Sequence, residues 1–171
     1  RDDLGMSLKS VSTLVLDDNA HMRGILRAVL LSFGVRTVHE ASDVAEAMHI
    51  LHHETVDIAF VDYHLSGANG VEFCRQVRRS EDSPNIYLPI IMITAYSERR
   101  RVIDAVNCGV DEFLVKPVRA IDVAHRMNAV VERRRPFVTS GDYFGPDRRR
   151  RKNARYRGPM RRASDPGTFD L

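Results

Sequence analysis

Cysteine is scarce: Cys74 and Cys108 are the only two, and no CxxC spacing relates them. A disulfide framework is therefore not expected, and reduced thiols in a cytoplasmic protein are the plain reading. Long hydrophobic runs are missing too. Nothing approaches ~18 consecutive apolar residues, so no membrane span is expected, and no signal-peptide pattern opens the chain. His52-His53 and the other histidines lack a metal-ligand spacing and are read as ordinary helix or surface residues. Charge of one sign is missing from the bulk figure as well, because the formal net charge of +3 conceals a split. Residues 1–132 hold 14 basic and 19 acidic side chains, a net −5, whereas residues 133–171 hold 12 and 4, a net +8. The expectation is an acidic domain followed by a basic tail.

What is present is an alternation of short apolar runs with helical patterns. VSTLVL (11–16) suits a buried strand, and Asp17-Asp18-Asn19 break it and can cap a helix. Ile25, Leu26, Val29, Leu30 and Phe33 recur at helical spacing up to Gly34. Val35–His39 reads as a second strand, and Ser42-Asp43 caps a second helix. Ile58–Val61 is the third strand, ending at Asp62, and Gly70 to Arg79 the third helix. Ile90–Thr94 is the fourth strand, followed by a helix from Ser97 to Cys108. Phe113–Val115 is the fifth, followed by Lys116-Pro117 and a last helix from Ala120 to about Arg133. Five such repeats predict an α/β fold, a doubly wound five-stranded parallel sheet covered by helices on both faces. Ligands of such sheets bind outside the carboxyl ends of the strands.

Those ends carry few polar residues: Asp17 and Asp18, then Asp62, Thr94 and Lys116. Three carboxylates gathered on one edge repel one another unless a cation joins them, and a hard ion such as Mg²⁺ suits carboxylate oxygens. A threonine hydroxyl and a lysine ammonium can bind phosphoryl oxygens opposite it. Taken singly, each residue has a plainer reading. Asp17 and Asp18 serve equally as helix caps, Asp62 as a loop carboxylate, Thr94 as a core hydroxyl and Lys116 as a solvated charge.

The segments LVLDDNA (14–20), FVDYHLSGANG (60–70), IIMITA (90–95) and CGVDEFLVKP (108–117) fall in an order that resembles the receiver domain of bacterial two-component response regulators. The resemblance covers residues 11–132 and implies a flavodoxin-like fold. It implies that Asp62 is the phosphoacceptor and that Mg²⁺ sits on Asp17, Asp18, Asp62 and the backbone carbonyl of His64. Thr94, with Ala95 and Lys116, would receive the phosphoryl oxygens, and Phe113 would be the switch aromatic. A sensor histidine kinase or phosphotransfer protein would dock near Met22, Ile25, Pro117 and Val118. The protein would then be a regulator and not an enzyme, limited to Mg²⁺-dependent self-phosphorylation and autodephosphorylation. It would signal to a downstream protein, with a homodimer through the fourth helix, fifth strand and fifth helix as a further implication. Four positions depart from the commonest pattern. Ser66 stands where proline is usual and predicts a looser loop, Asn69 precedes Gly70 where aspartate is frequent, and the bulky His64 and Tyr96 lie two residues beyond Asp62 and Thr94. A pseudo-receiver that never carries phosphate is the alternative for the whole protein. An acid-phosphatase-type hydrolase would need a second carboxylate where His64 stands.

The organisation expected is residues 1–10 as an N-terminal segment, 11–135 as the receiver, and 136–171 as an extended basic tail with no output domain. In the tail, YFGPDRRR (143–150) is imperfectly repeated as YRGPMRRA (156–163). Its arginines, Arg148, Arg149, Arg150, Arg151, Arg161 and Arg162, leave several partners open: nucleic acid through its phosphates, another anionic partner, or an acidic receiver surface.

Overall fold

The computed structural model describes residues 8–95, 99–148 and 168–169. After a short 3-10 turn at Leu8–Ser10, five strands form one parallel sheet: β1 (Ser12–Leu16), β2 (Thr37–Ala41), β3 (Ile58–Asp62), β6 (Ile90–Ala95) and β7 (Glu112–Lys116). Two short strands, β4 (His64–Leu65) and β5 (Ala68–Asn69), make a hairpin after β3. The helices are α1 (Ala20–Ser32), α2 (Val44–His53), α3 (Gly70–Arg79), α4 (Arg99–Cys108) and α5 (Ala120–Glu132). The sheet order is β2-β1-β3-β6-β7, so the chain reverses its winding at β1 and opens a crevice beside β3.

Local chemistry explains the element ends. Asn19, not either aspartate, caps α1: its side chain accepts the amides of His21 and Met22. Asp17 and Asp18 are thereby free of capping duty. Asp43 caps α2, and the Glu46 carboxylate reaches back to Ser42, a reciprocal arrangement that satisfies amides at both positions. Asn69 caps α3 by accepting the Glu72 amide. Gly34, at φ 93°, ends α1, and the Val35 amide then closes back on the Leu30 carbonyl. Val35 is apolar because it seals the helix end in the core, and the second strand consequently starts two residues later than its pattern suggests.

Alternate residues of the buried strands feed two hydrophobic layers. Leu14, Leu16, Ala59, Val61, Ile90 and Met92 pack against α2, α3 and α4, and Val15, Ile58, Phe60, Ile91, Ile93 and Leu114 against α1 and α5. Each large side chain buried in this way contributes about 1.5–3 kcal/mol of transfer free energy. The central strands are covered on both faces, which is why every residue of β1 and β3 is buried.

The expected extended tail is corrected at its start. Residues beyond α5 form β8 (Phe137–Ser140) and β9 (Tyr143–Pro146), an antiparallel hairpin that packs against α3 and α4, with β10 (Thr168–Phe169) paired to β8. Phe137 is fully buried between the guanidinium groups of Arg78 and Arg134, 5.0 and 4.6 Å from its ring centre. Tyr87 stands edge-on to it and Phe144 lies tilted against it. Beneath it, Asp111 accepts hydrogen bonds from Arg78, Arg134 and the Ile90 amide. Gly109 and Gly145 let the hairpin press against the end of α4: a Cβ on Gly145 would lie 2.6 Å from the Gly109 Cα. Arg148 stacks on Tyr143 and donates to Asn107. The packed structure thus runs past the boundary expected at residue 135. The apolar periodicity that marks a helix or a long strand is absent from a four-residue hairpin strand, so the sequence pattern did not reveal it. Arg149, Arg150, Arg151, Arg161, Arg162 and Tyr96 lie outside the described residues. Among the described residues, no helix is long and apolar enough to cross a membrane.

Candidate functional site

The carboxyl ends of β1 and β3 bring Asp17, Asp18 and Asp62 together, and one oxygen from each lies within 4.8 Å of the others. Asp62 is the last residue of β3 and is 4% exposed. Its Oδ2 accepts a hydrogen bond from Lys116 Nζ at 2.9 Å, and its Oδ1 accepts the His64 amide at 3.2 Å. Lys116 reaches it from the end of β7, beside Ala95 in the β6–β7 register. Thr94 is buried one residue beyond Ile93, the β6 partner of Asp62.

Three carboxylates face one ammonium group, and the imbalance is visible in Asp17. Burial, reinforced by the neighbouring Asp62 charge, pushes its pKa up to about 6 against the pull of the Asn19 amide and Lys116. Asp18 behaves oppositely. Its Oδ2 accepts both the amide (2.9 Å) and the hydroxyl (2.5 Å) of Ser66, and these bonds hold its pKa below the usual carboxylate value. The loop expected to be loose is therefore pinned. Ser66 and Gly67, the latter at φ 74°, form the turn between β4 and β5, and Ser66 ties that turn to the end of β1.

The donor set is hard, anionic and under-neutralised, which fits a hard divalent cation and not a soft metal. The backbone of His64 enters the site through its amide, while its side chain is exposed.

Gly70 is a site residue that periodicity alone does not single out. Its amide donates to the Tyr63 carbonyl, and a Cβ there would lie 2.5 Å from the Asp62 carbonyl oxygen. Only glycine lets α3 start against the end of β3, and the Asn69-Gly70 pair was the available signal. Phe113 is half-buried and packs on the layer shared with α2, α3 and α4. Of the expected docking residues, Ile25 and Pro117 are exposed, Met22 is half-buried, and Val118 packs on the α1/α5 layer.

Comparison with known proteins gives a consistent result. The response regulator receiver domain family matches residues 13–128. The chemotaxis protein CheY of Pseudomonas aeruginosa is 32% identical over 120 residues, covering 70% of this chain and 95% of the relative. The chemotaxis protein CheY-3 of Vibrio cholerae is 30% identical over 125 residues, covering 73% and 95%. A solved response regulator receiver protein from Pseudomonas putida superposes with a TM-score of 0.62 at 28% identity, covering 69% of this chain and 95% of that one.

Proposed function

The chain belongs to the response regulator receiver domain family, and on that premise we propose that Asp62 is the residue that receives the phosphoryl group. It is a two-component response regulator, a regulatory phosphoacceptor whose partners are histidine kinases or phosphotransfer proteins. The observation that carries the assignment of Asp62 is its place in the site. It is the buried carboxylate that meets Lys116 at 2.9 Å while sharing a 4.8 Å cluster with Asp17 and Asp18.

In the proposed transfer a carboxylate oxygen of Asp62 attacks the phosphorus of a phosphohistidine. An O–P bond forms, the N–P bond breaks, and the imidazole leaves with the bonding pair. Asp17, Asp18, Asp62 and the His64 carbonyl would hold a magnesium ion, which would supply positive charge opposite Lys116. Lys116 stays beside Asp62 and offsets the charge that accumulates there, roughly −1 to −2 once phosphorylated. The Thr94 hydroxyl and the Ala95 amide turn to the new oxygens, and this pull on the end of β6 favours a different packing of α4, β7 and Phe113. Hydrolysis of the acyl phosphate by water returns the resting state.

Docking of the phosphodonor uses Met22 and Ile25 on α1 with Pro117 and Val118 after β7. Output is by protein contact, and the exposed apolar side chains Ile103, Val115 and Ile121 support pairing through α4, β7 and α5. The arginines beyond Pro146 are the proposed contact for an anionic partner, nucleic acid included, and the cytoplasm is the proposed compartment. The test is incubation with Mg²⁺ and acetyl phosphate, followed by intact mass. We expect one added phosphoryl group on the native chain and none on Asp62→Asn. Equal labelling of the two would sink the assignment.

A further inference from the structure

Ser66 is exposed on the turn between β4 and β5, and its plainest role is that of a turn residue. Its contacts go further. Both of its donors, the backbone amide at 2.9 Å and the hydroxyl at 2.5 Å, converge on the same oxygen, Asp18 Oδ2. The donors are pre-placed. Gly67 supplies the positive φ of the turn, and β4 and β5 lock it through the His64–Asn69 and Leu65–Ala68 pairs. A carboxylate oxygen offers about two lone-pair directions, so two donors fill Oδ2 and leave the other oxygen of Asp18 to meet a cation. A proline at this position would supply neither donor.

We propose that Ser66 is a positioning residue that makes Asp18 a one-oxygen ligand and so tunes the acidic site toward small cations. Mg²⁺ keeps near-octahedral geometry with one oxygen per carboxylate, whereas Ca²⁺ accepts higher coordination and two-oxygen carboxylate binding. Losing the hydroxyl leaves the amide as the one Ser66 donor on Oδ2, which loosens the one-oxygen geometry that suits Mg²⁺ and opens a mode that Ca²⁺ can use. The inference rests on the reading of Asp17, Asp18 and Asp62 as a cation site, and it concerns the unphosphorylated chain alone.

The experiment is titration of the full chain with MgCl₂ and, separately, CaCl₂, read by amide chemical shifts of residues 17–19 and 62–66. It compares the native chain, Ser66→Ala and Ser66→Thr. Contacts that orient metal ligands are commonly worth 10–100-fold in affinity, so Ser66→Ala should bind Mg²⁺ about 10-fold more weakly. Its Ca²⁺ affinity should fall less, so that the preference for Mg²⁺ shrinks. Ser66→Thr, which keeps both donors, should retain the native preference. An unchanged Mg²⁺ affinity in Ser66→Ala overturns the inference while leaving the cation site standing. So does an equal loss for both ions, or a Ser66→Thr that behaves like alanine. A native chain that binds no Mg²⁺ overturns the cation site and the inference together.

Discussion

Phe137→Ala separates a docked hairpin from a solvated tail. The ring is fully buried between two guanidinium groups 5.0 and 4.6 Å from its centre, and Tyr87 and Phe144 close the remaining sides at 5.2 and 5.4 Å. Removing a buried phenylalanine ring costs about 3–5 kcal/mol, because the transfer free energy is lost and a cavity remains. Here the lost cation–π contacts add to this, and the Arg78 and Arg134 charges are left facing an emptied space above Asp111. For a chain of this size the melting temperature should drop by roughly 10–15 °C. Urea unfolding followed by far-UV circular dichroism suits the measurement, because the chain contains no tryptophan. Thr139→Ala, at an exposed position of the same strand, is the control and should stay within about 0.5 kcal/mol of native. A Phe137→Ala chain as stable as the Thr139→Ala control would refute the reasoning. The hairpin would then be a surface ornament and residue 135 the true end of the folded unit.

Two further perturbations probe the acidic site. Asp17 is raised from 3.8 to about 6, so the folded state holds a proton that the unfolded chain has lost across that interval. Stability of the metal-free protein should therefore fall as pH rises from about 4 to about 6 and then level off, a loss of up to roughly 3 kcal/mol. Asp17→Asn should flatten that slope in urea titrations taken at several pH values, and a slope that survives the substitution would refute the cause given. Gly70→Ala must move the start of α3 or the end of β3, since its Cβ would sit 2.5 Å from the Asp62 carbonyl oxygen. A cost of about 1–3 kcal/mol is expected, together with slower phosphorylation by acetyl phosphate in a mass time course. Native rates in this variant would show that the close approach does not matter to the site.

The acidic site was legible because parallel strands with buried faces tolerate polar residues chiefly at their ends. Asp17, Asp18, Asp62, Thr94 and Lys116 stood out from apolar runs for that reason, and the fold places all five at one edge of the sheet. Less legible was which side chain caps α1, since Asp17, Asp18 and Asn19 offer similar chemistry and only the backbone geometry selects Asn19. Ser66 was misjudged because replacing proline suggests slack, whereas the restored amide becomes a donor to a carboxylate 48 positions earlier.

Sequence by itself determined the alternating apolar periods, the helix stops at Gly34 and Gly109, and the charge division between receiver and tail. Those depend on neighbours within a few residues and on the composition of each segment. Tertiary structure alone decided which oxygen of Asp18 is filled, how far the Asp17 proton is held, and that Phe137 belongs to the folded domain. Each depends on groups distant in the chain whose distances fall to a few ångströms only after the sheet and its helices have packed.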